Sequence, residues 1–216
     1  MSRTDPAGTP QDSAPIPAYC QDAARYDSRT ERFGSYRRRA IDLLPLSEGD
    51  VVVDVGCGTG LCFEQLTSRV GPTGTVVGIE PAPEMRALAG SRIAHRGWSN
   101  VVLVGSPSES AEMPTADHAL FCAVHDVLQS APALDRVLAH VRDGGGVAAT
   151  GGKWAPPWAV AVNATVMAVH SPFIRDFRNF DRPWALLADR VPGLRVTEVA
   201  WGAGYLAWGR VHHDRV

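Results

Sequence analysis

The residues whose types and spacing could do chemistry cluster first in Asp54-Val55-Gly56-Cys57-Gly58-Thr59-Gly60. Three glycines at alternate positions let the backbone turn sharply and approach a ligand with no Cβ in the way. A dinucleotide fingerprint needs Gly-x-Gly-x-x-Gly, but Leu61 follows Gly60 here, so the spacing is Gly-x-Gly-x-Gly. No Gly-Lys-Ser/Thr follows either, which excludes a P-loop. Asp54 places a carboxylate two residues before the first glycine. That charge would repel a pyrophosphate and suits a ligand presenting a cation and hydroxyl groups. Glu80 lies 24 residues beyond Gly56. An acid at that distance can take both hydroxyls of a ribose in a bidentate hydrogen bond.

These residues need particular elements to position them. Val51 to Val55 is a short apolar run suited to a strand buried on both faces, and Leu61, Glu64, Gln65, Leu66 and Val70 continue it as a helix. Strand, glycine turn and helix make the first half of a nucleotide-binding βαβ unit. Thr75 to Ile79 is the second strand, and Pro81-Ala82-Pro83-Glu84 starts a helix, with proline in its first turn and Glu84 at its positive end. Further strands are expected at Val101–Val104, Ala119–Val124 and Val147–Thr150. A helix from Pro132 to Val141 is closed by Gly144-Gly145-Gly146. The last two strands, 194–201 and 205–211, are joined so tightly through Gly202-Ala203-Gly204 that they must be antiparallel.

The Asp54 to Gly60 stretch, followed by Val77-Gly78-Ile79-Glu80-Pro81-Ala82-Pro83-Glu84-Met85, resembles motif I and the following acidic strand end of the class I S-adenosylmethionine-dependent methyltransferases. The likeness runs from about residue 22 to 211. It implies an α/β Rossmann-like fold, a mostly parallel seven-stranded sheet with helices on both faces and an antiparallel last strand. It also implies S-adenosylmethionine as cofactor, held by Asp54, Gly56, Cys57, Gly58, Thr59, Gly60, Glu80 and Met85. Related proteins carry Gly-Asp-Ala-Glu after the third strand, whereas this chain has Gly105-Ser106-Pro107-Ser108-Glu109. Ser106 and Pro107 are therefore expected on the adenine side, with a hydroxyl in place of the acid. Relatives often carry Tyr-Asp in the N-terminal helix. Tyr26-Asp27 matches, so Tyr26 either packs over the cofactor or fills a core face.

Methyl transfer mainly requires a nucleophile held aligned with a sulfonium methyl, and an acceptor hydroxyl or ammonium must also lose a proton. Ala123-Val124-His125-Asp126 follows the fourth strand, and ligands sit outside the carboxyl ends of parallel strands. The backbone near Ala123 should thus face the methionine moiety. His125 reads either as a base near neutral pH or as a residue lining the site. The sequence there is not Asn/Asp-Pro-Pro-Tyr, which disfavours nucleic-acid adenine methylation. No metal-ligand spacing occurs, so no metal is expected.

Composition agrees with one α/β domain from 19 to 216, preceded by a proline-bearing tail over 1–18 that reads as disordered. The net charge of −2 leaves no footprint for nucleic acid. Lys153 is the only lysine, and 20 of the 21 basic residues are arginines, which reads as codon bias. Cys20, Cys57, Cys62 and Cys122 form no Cys-x-x-Cys pair and read as free thiols of a cytoplasmic protein. No stretch is apolar for the roughly 18 residues of a membrane span. Arg37-Arg38-Arg39 reads as a solvated helix face, with attraction to an anionic headgroup as a minor alternative.

The stretch 152–183 is rich in Trp, Pro and Phe, with an apolar helix from Ala159 to His170. In methyltransferases of this class an insertion after the fifth strand commonly covers the substrate. Trp154 and Trp158 are then candidate acceptor contacts, and a core helix is the competing reading. The leading functional expectation is methyl transfer by a monomer or homodimer to a small-molecule or lipid-like acceptor, at oxygen, nitrogen or carbon. A dehydrogenase is disfavoured by the glycine spacing and the lack of a Tyr-x-x-x-Lys pair. An S-adenosylmethionine binder repurposed for other catalysis or regulation stays open.

Overall fold

A computed structural model describes residues 23–213 except 175; side chains are described from residue 27 onward. The expected disordered tail over 1–18, the Tyr26 side chain and Cys20 lie outside the described residues. Seven strands form one sheet in the order β3-β2-β1-β4-β5-β7-β6. They are β1 (Val51–Val55), β2 (Thr75–Ile79), β3 (Val101–Val104), β4 (Ala116–Cys122), β5 (Val141–Gly152), β6 (Arg195–Val199) and β7 (Gly204–Arg210). The first five run parallel, and β7 pairs antiparallel with both β5 and β6. From β1 the chain builds outward through β2 and β3, then crosses back to β4 beside β1. The strand order reverses there, which opens a crevice above the C-terminal ends of β1 and β4.

The valine-rich strands are buried on both faces, as continuous apolar runs demand. On one face Val53, Val55, Val77, Phe121 and Val147 pack with Leu134 and Val137 of the helix Ala131–His140. On the other, Val52, Val76, Leu120 and Ala148 meet Ile41 of the helix Gly34–Asp42 and Phe63, Leu66 and Val70 of the helix Phe63–Val70. In chain order the helices are α1 (Ala23–Thr30), α2 (Gly34–Asp42), α3 (Phe63–Val70), α4 (Pro83–Arg96), α5 (His125–Leu128), α6 (Ala131–His140), α7 (Val160–His170) and α8 (Ala185–Ala188). A 3-10 turn over Glu31–Phe33 separates α1 from α2, which starts at Gly34.

Two strand boundaries differ from expectation. β4 begins at Ala116, and β5 begins at Val141 and runs straight through the glycine triplet. The triplet is a bulge: Ala116 pairs with Val141, but His118 already pairs with Gly146. Gly144 takes φ +73, and a Cβ at Gly145 would sit 2.5 Å from the Asp117 carbonyl oxygen. Polar side chains fill the bulge. Asp117 accepts from the Val51 amide and the Arg142 guanidinium, while His118 Nδ1 accepts from the Gly146 amide at 3.0 Å. Since Nδ1 accepts, Nε2 carries the proton and donates to Asp50 at 3.1 Å. Burial holds the His118 pKa below the ordinary histidine range, against the pull of Asp50 and Asp117.

A buried neutral histidine charges more readily when the chain unfolds, so the unfolded chain binds more protons below pH about 6.5. The His118 contribution to stability should therefore fall as pH drops from 7 toward 5, opposite in sign to that of a buried acid with a raised pKa. His118→Gln should lose stability at pH 8, by about 1 to 2 kcal/mol for the broken hydrogen bonds, yet show a shallower acid slope. Thermal melts of both proteins across that range test this, and parallel slopes would rule it out.

Candidate active site

The glycine loop is held from below and from the side. The Cys57 amide donates to the Ile79 carbonyl at 2.9 Å, and Gly56, Gly58 and Gly60 take φ +63, +57 and +79. A Cβ at Gly56 would lie 2.4 Å from Val124 Cγ1, and one at Gly60 2.6 Å from the Phe63 ring. Glu80 accepts from the Gly58 amide at 3.0 Å through Oε2 and from the Ala82 amide at 2.8 Å through Oε1. Burial raises its pKa, partly offset by those two bonds. Met85, buried in the first turn of α4, reaches the space beside Gly58. Asp27 in α1 ties the N-terminal helix to the loop: it accepts from the Thr59 hydroxyl at 2.6 Å and pairs with Arg92, whose Nε donates to the Thr59 carbonyl at 2.9 Å. Of the Tyr26-Asp27 pair, it is thus Asp27 that is seen to hold the loop. Ser106 and Pro107 lie half-buried past the end of β3, while Ser108 turns inward.

Asp54 is the outlier. Its carboxylate is 1% exposed and neither oxygen has a hydrogen-bond partner among the described residues. Burial, then the nearby Glu80 charge, pushes its pKa up to about 7, with Arg37 pulling the other way. An orphaned buried acid beside a second acid fits a cationic, donor-bearing ligand end. Arg37 reaches this place because it lies three and four residues before Ala40 and Ile41, on the buried side of α2, while Arg38 and Arg39 are exposed. The reading of Arg37-Arg38-Arg39 as one solvated face holds only for the last two.

A cavity of about 550 Å³ opens beyond the ends of β4 and β5. Ala123, Val124 and His125 floor it; Phe33, Tyr36 and Arg37 come from the N-terminal helices, and Tyr205 from β7. Ala123 takes the left-handed φ of +58, while its amide donates to the Thr150 carbonyl at 2.8 Å. The segment 169–183 walls the remainder with His170, Phe173, Ile174 and Phe180. Phe180 is central: it packs edge-on to His125 (5.0 Å), His170 (5.5 Å), Trp154 (5.4 Å) and Phe177 (5.0 Å). Gln129 pins this wall, donating to the Pro183 carbonyl and accepting from Asn179 Nδ2.

Three residues of this stretch stand apart from the cavity lining. Trp158 is 82% exposed in the turn before α7 and does not line the cavity. Trp154 stands behind the lining, stacked on Phe177 at 5.3 Å. Asn163 ties the turn itself, bonding Ala155 N, Ala155 O and Pro156 O. His125 does reach the cavity floor, but neither ring nitrogen meets open space or a hydrogen-bond partner; the Asp176 and Arg178 carbonyls act on it from beyond bonding geometry. Burial lowers its pKa. His170 and Tyr205 were missed, having no local motif around them. Lys153 is also more than a bias: buried, it donates to the Trp154 and Gly202 carbonyls and pairs with Glu198, fastening the end of β5 to the β6–β7 turn. Among the described cysteines, Cys57, Cys62 and Cys122 are free. No described group of three or more His, Cys, Asp or Glu could hold a metal, and no described helix is long and apolar enough to cross a membrane.

A raised folded-state pKa means the folded chain binds more protons between pH 3.8 and about 7. Stability is thus lost as pH rises through that window. At about 1.4 kcal/mol per unit, Asp54→Asn should stabilise the ligand-free protein at pH 8 by up to about 4 kcal/mol, and by less at pH 5. Denaturant melts at both pH values measure this; equal effects at both would contradict it.

Comparisons with known proteins agree with this geometry. Residues 52–145 match the methyltransferase domain family. Aklanonic acid methyltransferase of Streptomyces sp. (strain C5) is 31% identical over 112 residues, 51% of each chain. Nocamycin O-methyltransferase of Saccharothrix syringae is 38% identical over 91 residues, 41% of this chain and 32% of that one. The chain thus spans about half or less of the curated relatives it matches. Among solved structures, the methyltransferase partner of Haloferax volcanii Trm112 superposes with a TM-score of 0.70 at 16% identity, covering 94% of this chain and 100% of that one. A methyltransferase from Aquifex aeolicus gives 0.62 at 18% identity, covering 88% and 97%. Residues 52–145 thus form a methyltransferase domain, and its glycine loop, acidic strand end and sheet order give the chain the Rossmann-like fold of S-adenosylmethionine-dependent methyltransferases.

Proposed function

We propose that this protein transfers the methyl group of S-adenosylmethionine to an apolar small-molecule acceptor bound in the cavity beyond β4 and β5. The observation that carries this reading is the shared wall between loop and cavity: Val124 fills the space that Gly56 leaves and also lines the cavity. Arg37 likewise lines the cavity while its charge acts on Asp54. A volume of about 550 Å³ with a mostly aromatic and aliphatic lining suits a drug-sized molecule.

The cofactor, when bound, supplies a methyl group on a sulfonium centre. The residues that would hold it are the Gly56–Gly60 loop with Cys57 and Thr59, Glu80 at the hydroxyls and Asp54 toward the cationic end. Met85 would also contact it, with Ser106 and Pro107 on its adenine side and Ala123 and Tyr26 completing the set. Glu80 keeps lone pairs beyond the two used by backbone amides, so it can accept hydroxyl donors without releasing the loop. Positioning dominates such a reaction, and the pinned Gln129–Asn179–Pro183 wall keeps the acceptor side shaped and dry.

Calorimetry should show S-adenosylmethionine binding and no tight NAD binding. S-adenosylhomocysteine should form when apolar ring-bearing hydroxy compounds are supplied. Glu80→Ala should weaken S-adenosylmethionine by roughly 1.5 to 3 kcal/mol, the range for a charged hydrogen-bond partner. Asp54→Asn should weaken it as well, although it stabilises the ligand-free fold. Tight NAD binding without S-adenosylmethionine would end this reading. Binding without product across the acceptor set would favour the repurposed binder.

A further inference from the structure

We propose that His170, through Nε2, takes the proton of an acidic hydroxyl on the bound acceptor. This rests on the methyl-transfer reading and names the residue and acceptor class within it.

The last turn of α7 brings His170 back toward the end of β5, with Nδ1 2.9 Å from the Val166 carbonyl oxygen. A carbonyl only accepts, so Nδ1 carries the hydrogen and the lone pair of the neutral ring is at Nε2. Nε2 takes no hydrogen bond from any described residue, and it is not sealed off as both nitrogens of His125 are. Its place depends on a glycine: a Cβ at residue 152 would stand 2.1 Å from Nε2. Phe33 at 6.4 Å and Phe180 at 5.5 Å hold the ring between them. A lone pair fixed in tautomer, orientation and cavity is a base positioned in advance.

Burial holds His170 in its neutral form, with only the Val166 carbonyl opposing. The cavity presents charged or titratable groups from several elements: Tyr36 and Arg37 on α2, and Cys122, His125 and Asp126 at the end of β4. Asp176 and Arg178 face in from the wall, and Tyr205 from β7. None of these contributes to its shift. A base weaker than ordinary histidine does not remove the proton of a simple alcohol. It matches a hydroxyl made acidic by conjugation, such as an enol or phenol conjugated to a carbonyl, on an otherwise apolar skeleton. The O–H bond breaks with its electron pair left on oxygen, the new N–H bond forms at Nε2, and the imidazolium afterwards releases the proton to water. The oxygen is then the more nucleophilic anion.

Two measurements test this. In wild-type protein, long-range nitrogen–proton NMR at pH 8 should show the His170 ring protonated at Nδ1 and bare at Nε2; the opposite tautomer overturns the proposal. On a carbonyl-conjugated phenol that wild type methylates, His170→Gln should lower kcat about 100-fold, the usual scale for a positioned base. S-adenosylmethionine affinity and melting temperature should stay near wild type. A neutral ring is the active form, so wild-type kcat should fall as pH drops below the His170 pKa, and that limb should vanish in the variant. Gly152→Ala, which pushes the ring aside, should reproduce the loss in kcat. Wild-type kcat in His170→Gln, or an unchanged acid limb, overturns the assignment. Failure of wild type itself to methylate any acceptor counts against the methyl-transfer reading instead.

Discussion

The Glu80 carboxylate joins the parts of the crevice that would otherwise be separate. One oxygen takes the Gly58 amide from the loop after β1, the other the Ala82 amide at the start of α4, and Arg86 returns from α4 to the Glu80 carbonyl at 2.8 Å. Strand end, glycine loop and helix start thus share a single charged acceptor. Charge-assisted bonds to backbone donors are among the stronger ones in proteins, which explains how a loop with three positive-φ glycines keeps one shape. The same carboxylate adds to the burial that makes Asp54 costly to ionise.

Much of the fold was legible because doubly buried strands leave unbroken runs of Val and Ile, and tight glycine turns leave a spacing. What escaped was local polarity serving a nonlocal purpose. Asp117 and His118 interrupt the apolar run of β4, so its start looked like a loop, yet both side chains close the bulge in β5. The Gly144–Gly146 triplet looked like a turn because short-range reading sees only flexibility. In the folded chain a glycine is needed there to make room for His118: a Cβ at Gly146 would lie 2.8 Å from its Nδ1.

The site divided along the same line. Asp54, the glycines and Glu80 lie close in sequence and carry their geometry in their spacing. The cavity is assembled from Phe33, His125, His170 and Tyr205, brought together only by the crossing from β3 to β4 and the reversed β7. Aromatic content singled out 152–183, but size could not say which rings face the cavity. Phe180 is enclosed while Trp158 is exposed, since Asn163 closes the turn before α7 onto Ala155 and Pro156.

Two electrostatic environments meet across Val124. On the loop side, two buried acids with raised pKa values favour a positive ligand end. On the cavity side, His125 and His170 are pushed toward the neutral form by burial among aromatic rings. A side that favours a cation and a side that favours neutral groups are the opposite requirements that the proposed methyl donor and acceptor would place on the crevice. Arg37 stands at the boundary, lining the cavity and acting on Asp54 while its Nη1 donates to the Thr30 carbonyl at 3.2 Å. A cation fixed there opposes the accumulation of negative charge on the loop side. The division between the two sides follows from where burial and charge fall.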